Sequence, residues 1–581
     1  MFYSLINYKN NLNLNSLEYV VGGVMINLKD FSISKLSAAL LSITMLGMSV
    51  TANAEDNPAD WPKYHRLDNG WRYSPLDQIN KKNVSGLKVA WIHHVGDIAN
   101  GMQATPIVLD GVVYSIGPNN NVFAIDGNSG DTIWHYQPEL DPIVNEVFYT
   151  NASRGVTVGH GNVYVGTLDG RFIALDQKSG EVVWENQIIT TQREDYGILF
   201  SSPPQLCDGI LYSGTTGGDQ PQIGRVFAAD AKTGATAWVW ETLEDSKKSW
   251  PGNSRAVGGG GAWLPGQCDD ATGTIYIGTS NAAPDFYKGG REGDNKWSAS
   301  YVALEAKSGT VKFAHQEMPN DLWDYDSSYE GVFFTRNGKE YIAHLNKGGF
   351  VFVYNKKDLS IANVWQFAEH VNFVDSIDPK TGELIGRVDP VAGQESTFCP
   401  YLLGARSWNH GAYNPDTGLW YQNAQEACNT VTSAPTDPDS LGSPAALTLG
   451  ISAIAAHAPP GTVAATARLD ARDPFTGKPA WSLSYKLPGY GSVLTTKGGL
   501  VFNGDPTGQV MAYDADNGKT LWKFNTGSGI RGGIVSYAAN GKQYILVPSG
   551  WGSLAPGFAA AAYPGIDKQP GGATLVAFEL P

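Results

Sequence analysis

One recurring pattern limits what this chain can fold into: a short apolar strand ends in an acidic or polar residue, a turn follows, and the next strand carries a large aromatic. The pattern runs from Ala124-Ile125-Asp126 through Gly130 to Trp134, from Ala174-Leu175-Asp176 through Gly180 to Trp184, and from Ala229-Asp230 through Gly234 to Trp238. It returns at Leu304-Glu305, Gly309 and Phe313, at Tyr354-Asn355 and Trp365, at Arg472-Asp473, Gly477 and Trp481, and at Tyr513-Asp514, Gly518 and Trp522. Trp91, in VSGLKVAW, brings the docking aromatics to eight. Two short strands joined by a turn cannot bury both faces alone, but a ring of such units can, each aromatic packing against the next sheet. The expected fold is therefore all-β, an eight-bladed β-propeller with tryptophan-docking repeats. The last strand, Ala573 to Leu580, lacks a following Trp, and pairing it with strands near Trp91 would close the ring and remove two exposed edges. Docking aromatics are widely spaced between Trp365 and Trp481, and the Ala/Pro/Ser/Thr-rich stretch from Thr430 to Thr466 in that interval is expected to be a long surface loop, over the channel mouth.

Charge narrows the partners. Across 581 residues, 41 Lys and Arg stand against 56 Asp and Glu, a net charge of −15, so the excess of cations used by phosphate-backbone binders is missing and nucleic acid is not an expected partner. At the N-terminus, Lys29 and Lys35 precede an apolar run from Leu36 to Val50 and the small-residue sequence Ala52-Asn53-Ala54, the order of a secretory signal. Met25 lies directly before it. Residues 1–24 are thus read as an upstream extension from a misplaced start, 25–54 as a signal peptide, and 55–581 as the propeller. No other apolar run is long enough to span a bilayer, so the expected location is the periplasm, where Cys207, Cys268, Cys399 and Cys428 can form disulfides.

Other motifs carry more specific information: WPKYHRLDNGWRYSPLDQINKKNVSGLKVAW at 61–91, GGGGAW at 258–263, YIGTSNAAP at 276–284, GDNKW at 293–297, NDLWDYD at 320–326 and LVFNGDPTGQVMAYDADNGKTLWKF at 500–524. With these the chain resembles the pyrroloquinoline quinone (PQQ)-dependent alcohol dehydrogenases, the methanol and ethanol dehydrogenase family, over nearly all of its length after residue 54. The resemblance implies oxidation of an alcohol at a metal–PQQ centre. The family's base, the Asp of Trp-Asp-aromatic, falls on Asp324, whose alternative is a turn aspartate. The metal's amide ligand falls on Asn281, and residue type alone does not separate a ligand from an Asn chosen for turn geometry. Trp263 matches the indole beneath the planar cofactor, and could otherwise be core. Arg154 and Lys347 match cations that hold a PQQ carboxylate and a quinone oxygen, an isolated surface base being the alternative for each. Asn409 matches a cofactor-contacting amide, and Cys399 with Cys428 a family cysteine pair.

The chain departs from the family in three places. Phe148-Tyr149 stands where a vicinal disulfide usually roofs the cofactor, and an aromatic there could stack on PQQ. The usual metal-binding Glu is missing from Gly214-Thr215-Thr216-Gly217-Gly218-Asp219, where Asp219 is the nearest carboxylate. No Cys-X-X-Cys-His occurs, so electrons are expected to pass to a separate carrier such as a cytochrome c. Asp326, two residues after the base, matches an extra anionic ligand of lanthanide-dependent relatives; with Gly218 at the Glu position, calcium is the expected ion and a lanthanide the alternative. A larger or secondary alcohol is expected as substrate rather than methanol. The competing class is a non-catalytic propeller scaffold of the outer-membrane-assembly type.

Overall fold

A computed structural model describes residues 57–581 apart from 97, 99, 148–151, 190–198 and 437–444, together with 18–21 and 24–27. Residues 1–56 form a unit of their own, of which the described part is the hairpin Glu18–Val21 and Val24–Asn27. The remainder of the expected signal peptide lies outside the described residues.

From Asn57 onward, the described residues include eight sheets of four antiparallel strands, seven built from sequential or near-sequential strands and one combining the two ends of this region, with one of the seven extended to five by a parallel strand. The sheet Ile107–Leu109, Val112–Ile116, Val122–Asp126 and Thr132–Tyr136 shows how sequence becomes unit. Its middle strands are buried on both faces because neighbouring sheets cover them, which is why they read as near-continuous Val, Ile, Phe and Ala. Its outermost strand is largely exposed and buries little beyond Trp134.

The turn before that outer strand is built by Asp126. Its Oδ1 accepts the backbone N–H groups of Asn128 and Ser129, and Gly130 takes φ +80°. The indole of Trp91 lies against Gly130, where an added Cβ would sit 2.9 Å from the ring, and its Nε1–H donates to the Gly127 carbonyl at 3.0 Å. Each docking indole therefore reads the turn of the next sheet. Trp134 lies on Gly180, Trp184 on Gly234, Trp238 on Gly309, Trp365 on Gly477 and Trp481 on Gly518, each donating to a turn carbonyl at 2.8–3.3 Å. Two units differ. Phe313 has no indole N–H to donate, remains 38% exposed, and faces a repeat whose turn carries Leu359 at φ +52° instead of Gly. Trp522 packs edge-on against Phe578 at 5.0 Å, because the sheet that follows has no turn at that point: its outer strand comes from the other end of the chain.

That junction closes the ring. Lys88–His94 pairs antiparallel with Thr574–Glu579, as the unpartnered C-terminal strand implied. The segment before Lys88 fastens the seam. Tyr73–Ser74 adds in parallel to Leu494–Thr496, and the fully buried Arg72 donates to the carbonyls of Val493, Tyr64 and Ile534 at 2.7–3.0 Å.

The stretch from Thr430 to Thr466 is not a structureless loop, which corrects the reading from composition. Cys428–Ser433 pairs with both Glu395–Phe398 and Ile451–His457 in a three-stranded sheet. Thr430-Val431-Thr432 and Ile451 to Ile454 carry enough β-branched residues to pair. Cys399 bridges Cys428 at the edge of this sheet, and Cys207 bridges Cys268, joining the first strands of two consecutive sheets. Among the described residues no helix is long and apolar enough to cross a membrane.

The docking geometry makes a quantitative prediction. Gly180 and Gly161 both have positive φ, +74° and +79°, but a Cβ at Gly180 meets the Trp134 ring at 2.7 Å while one at Gly161 meets nothing. Gly161→Ala should cost about 1 kcal/mol, from backbone strain alone. Gly180→Ala should cost about 1–3 kcal/mol more, from displacing the indole. Equal losses in denaturant unfolding would show that the docked ring contributes little.

Candidate active site

In an antiparallel sheet, the entry to the first strand and the exit from the second lie at the same end. The residues singled out in the sequence occupy these two kinds of position. Arg154, Trp263, Asp324 and Asp326 precede the first strands of their sheets; Asp219, Asn281 and Lys347 follow second strands. The ring thus gathers them around one cavity of about 290 Å³.

One wall is electronegative. Asp324 and Asp326 flank Lys347, whose Nζ donates to Asp324 Oδ1 at 2.7 Å and Asp326 Oδ2 at 3.3 Å. The segment that presents them is shaped by Asp321, whose carboxylate accepts the backbone N–H groups of Trp323 and Tyr325 at 3.3 and 2.9 Å, and Asp324 sits at φ +63°. Beneath it, Glu317 is fully buried and accepts from Ser327, Tyr354 and His344 at 2.6–2.8 Å. Burial pushes the Asp324 carboxyl well above the usual range; Lys347 opposes this, while Asp219 and Asp326 add to it. Burial works against the Lys347 ammonium, but Asp324 and Asp326 outweigh it and hold its pKa well up.

Asn281 completes this wall. Its backbone N–H donates to Asp326 Oδ1 at 2.8 Å, and its side-chain Nδ2 donates to Asp285 Oδ1 at 2.7 Å and to the Gly218 carbonyl at 3.3 Å. Both side-chain neighbours are acceptors, so the amide nitrogen must face them and the carbonyl oxygen must turn away. That Oδ1 is buried without a protein partner. Such an atom costs about 1–3 kcal/mol unless something meets it. Asn281 Oδ1 and the carboxylates of Asp324, Asp326 and Asp219 line the same cavity and are oxygen donors of the kind a hard cation takes, but the three carboxylates do not converge on one point, and Lys347 and the Asn281 N–H engage both oxygens of Asp326.

Arg154 belongs to a second, cationic part of the wall. Its guanidinium lies 5.0 Å from the Trp263 ring centroid and 4.7 Å from that of Trp408. Its Nε has no hydrogen-bond partner, and among the described residues it forms no ion pair. Burial lowers its pKa to about 10. Trp263 presents a flat, partly exposed indole to the cavity, its backbone carbonyl held by the Ser202 hydroxyl at 2.5 Å. A planar ligand with an anionic edge fits these features: a ring face, an unpaired guanidinium, and a cation site on the carboxylate wall.

Asn409 does not reach the cavity; its Nδ2 donates to the Arg531 carbonyl at 2.8 Å, and its neighbours Ser407 and Trp408 line the wall instead. Phe148 and Tyr149 lie outside the described residues. Asp219 lines the cavity beside Gly218. Residues not singled out in the sequence also matter. Asp285 is fully buried and orients Asn281, though it follows it by only four positions. The three-stranded sheet and its connections contribute Leu447, Leu449 and Ile454 to the wall, and Thr448 donates its N–H to the Asp219 carbonyl at 2.8 Å and accepts that of Asp285 at 3.0 Å. Low-complexity composition hid that role.

Similarity to known proteins identifies the family. The model of the PQQ glucose/ethanol/alcohol dehydrogenase β-propeller domain matches residues 61–358 and 442–545, more than half of the chain. The chain is 32% identical over 547 residues to quinoprotein alcohol dehydrogenase PedH of Pseudomonas putida, covering 88% of this chain and 89% of that one. It is 33% identical over 537 residues to the quinohemoprotein alcohol dehydrogenase of Comamonas testosteroni, covering 87% and 75%. The crystal structure of the Comamonas testosteroni enzyme superposes with a TM-score of 0.81 at 30% identity, over 94% of this chain and 84% of that one. A europium-containing methanol dehydrogenase superposes with a TM-score of 0.82 at 26% identity, over 91% and 99%. The alternative of a non-catalytic scaffold is not favoured by these relatives. With its docked sheets, its cavity and these similarities together, the chain belongs to the PQQ-dependent glucose/ethanol/alcohol dehydrogenase β-propeller family.

Proposed function

We propose that this protein is a periplasmic PQQ-dependent alcohol dehydrogenase, exported by residues 25–54, that oxidises an alcohol to an aldehyde or ketone and passes electrons to a separate carrier such as a cytochrome c. The observation that carries the reading is the pair of unmet demands in one cavity: a buried Asn281 Oδ1 beside carboxylates, and an unpaired Arg154 guanidinium beside the Trp263 face. Bound there, PQQ supplies a two-electron acceptor and a cation supplies the Lewis acid that polarises it. Asn281, Asp219, Asp324 and Asp326 would hold the cation, Trp263 would carry the cofactor's face, and Arg154 and Lys347 would meet its oxygens. Asp324 takes the hydroxyl proton. Its Oδ1 is engaged by Lys347, which leaves Oδ2 as the accepting atom. Asp321 is not an alternative base, because its carboxylate is committed to backbone amides and does not line the cavity.

The identity of the cation turns on charge. The expectation of calcium counted Gly218 as a lost ligand. With Asp219 also on the cavity wall, three carboxylates could contribute charge if their side chains, which do not converge on one point in this structure, close on the ion, and that count supports a trivalent lanthanide as the alternative to calcium. The europium-containing relative is consistent with that. The apolar wall from Phe286, Leu402, Leu449 and Ile454 supports a substrate with a bulky hydrocarbon part.

Three measurements test these points. Purified protein given PQQ and a cation should show dye-linked oxidation of alcohols and none with nicotinamide, and Asp324→Asn should lower kcat about 10²-fold or more with PQQ still bound; near-normal turnover would remove Asp324 from the role. After chelator treatment, calcium and lanthanum added separately should both bind, and Asp326→Ala should weaken lanthanum more than calcium; equal weakening would contradict the charge-count argument. Across a series of primary and secondary alcohols, kcat/KM should rise with hydrocarbon size by roughly tenfold per well-buried methylene at most. A maximum at methanol would overturn the assignment of the apolar wall to substrate.

A further inference from the structure

Buried guanidinium groups in this protein fall into two sets. Arg72 is satisfied by three backbone carbonyls and Arg291 by the Pro284 and Asp321 carbonyls and Asn295, while Arg406, whose Nε and Nη1 lack partners, is neutralised by the carboxylate of Glu330 at 2.5 Å. Among the described residues Arg154, whose Nη1 donates to the carbonyl and hydroxyl of Ser201, and Arg531 pair with no carboxylate. Arg531 is 2% exposed, lines the same cavity, and makes one side-chain hydrogen bond, from Nη2 to the Ser553 hydroxyl at 3.0 Å. Its Nε and Nη1 are buried without partners, and among the described residues no carboxylate pairs with it. The group sits in an aromatic cage, 5.2–5.8 Å from the ring centroids of Tyr490, Trp408 and Trp551. Aromatic faces favour a cation over hydrocarbon, but they offer no hydrogen-bond acceptor in the plane of the guanidinium.

Trp408 ties the two unpaired cations together. Arg154 lies 4.7 Å and Arg531 5.7 Å from its ring centroid, and the Arg154 charge disfavours that of Arg531. Burial and this repulsion bring the Arg531 pKa down to about 10, which still leaves it charged at neutral pH. Two like charges held together, out of water and facing a cavity, carry an electrostatic cost that a Leu or Met at 531 would not. What the arrangement does fit is a ligand bearing anionic oxygens, since a guanidinium presents paired N–H donors to a carboxylate.

We propose that Arg531 is a second carboxylate anchor of the cavity, acting beside Arg154, so that the bound ligands must present carboxylate groups to both. This rests on the dehydrogenase reading. PQQ is a tricarboxylate and can satisfy both cations; a carboxylate on the alcohol substrate is the other source of the same chemistry. Nothing in the GSGIRGG segment around Arg531 marks it as a ligand-binding motif, and its role follows only from its surroundings in the folded protein.

The test compares the full-length wild type with Arg531→Met and Arg531→Lys by equilibrium dialysis of PQQ in the presence of calcium, by thermal unfolding without PQQ, and by KM for 4-hydroxybutyrate against 1-butanol. Binding of PQQ to the wild type tests the dehydrogenase reading by itself. If Arg531 meets a cofactor carboxylate, Arg531→Met should weaken PQQ binding about tenfold or more, the scale of a hydrogen bond to a charged group, and Arg531→Lys should recover part of it. If it meets a substrate carboxylate, PQQ binding should be unchanged and the KM ratio should shift about tenfold against 4-hydroxybutyrate. In either case the PQQ-free Arg531→Met protein should unfold at the same temperature as the wild type or higher. A lower unfolding temperature, with PQQ binding and the KM ratio unaltered, would overturn the proposal and make Arg531 a structural residue. Unaltered values of all three would overturn it too.

Discussion

Everything in this structure depends on an indole of one sheet seated on the turn of the next. The contact asks for three things in register: a tight turn, folded by an Asp in most repeats and by Glu305 in the one that receives Trp238, a Gly whose positive φ and missing side chain leave room for the ring, and a turn carbonyl that accepts the indole N–H. None contributes unless the neighbouring sheet is already present, so the sheets stabilise one another in sequence around the ring. The seam where the chain's two ends meet cannot use the same contact on its C-terminal side. There the pairing of Lys88–His94 with Thr574–Glu579 and the carbonyl cage around Arg72 take its place.

A closed ring of this kind determines where chemistry can be placed. Loops entering first strands and leaving second strands converge at one end, so side chains far apart in sequence share a small volume. Here that volume holds two groups of charge that do not neutralise each other. The carboxylates of Asp324 and Asp326 are bridged by Lys347, whereas Arg154 and Arg531 pair with no carboxylate among the described residues. Such an arrangement is costly in an empty cavity and favourable in a filled one. The peripheral three-stranded sheet reinforces it, since Thr448 hydrogen-bonds the backbone of both Asp219 and Asp285 and so ties the cavity wall to the covering apolar residues.

Much of this was legible in the sequence because it is written in local patterns. The Asp–Gly–Trp repeat gave the sheets and the seam, and Trp263, Asn281, Asp324 and Lys347 could be singled out because each lies in a short, distinctive motif. The rest depends on contacts that spacing does not record. Phe313 looked like one more docking aromatic, yet the turn facing it has Leu359 where a Gly is needed. Thr430 to Thr466 looked like a loop because Ala, Ser and Pro mask a strand pairing that only the partner strand Glu395–Phe398 and the flanking Cys399–Cys428 bridge make stable. Asp285 and Arg531 are ordinary residues in ordinary segments. Their significance comes from what faces them: an amide that must be oriented in one case, and an aromatic cage with no anion in the other.

The central claim is that one cavity holds a cation on its carboxylate wall and a planar, anionic cofactor against Trp263 and Arg154. Anomalous diffraction from crystals grown with PQQ and lanthanum tests it most directly. One strong lanthanum peak is expected within coordination distance of Asn281 Oδ1 and the carboxylates of Asp324 and Asp326, with PQQ density lying over the Trp263 ring. A lanthanum peak elsewhere, or PQQ density outside this cavity, would contradict it.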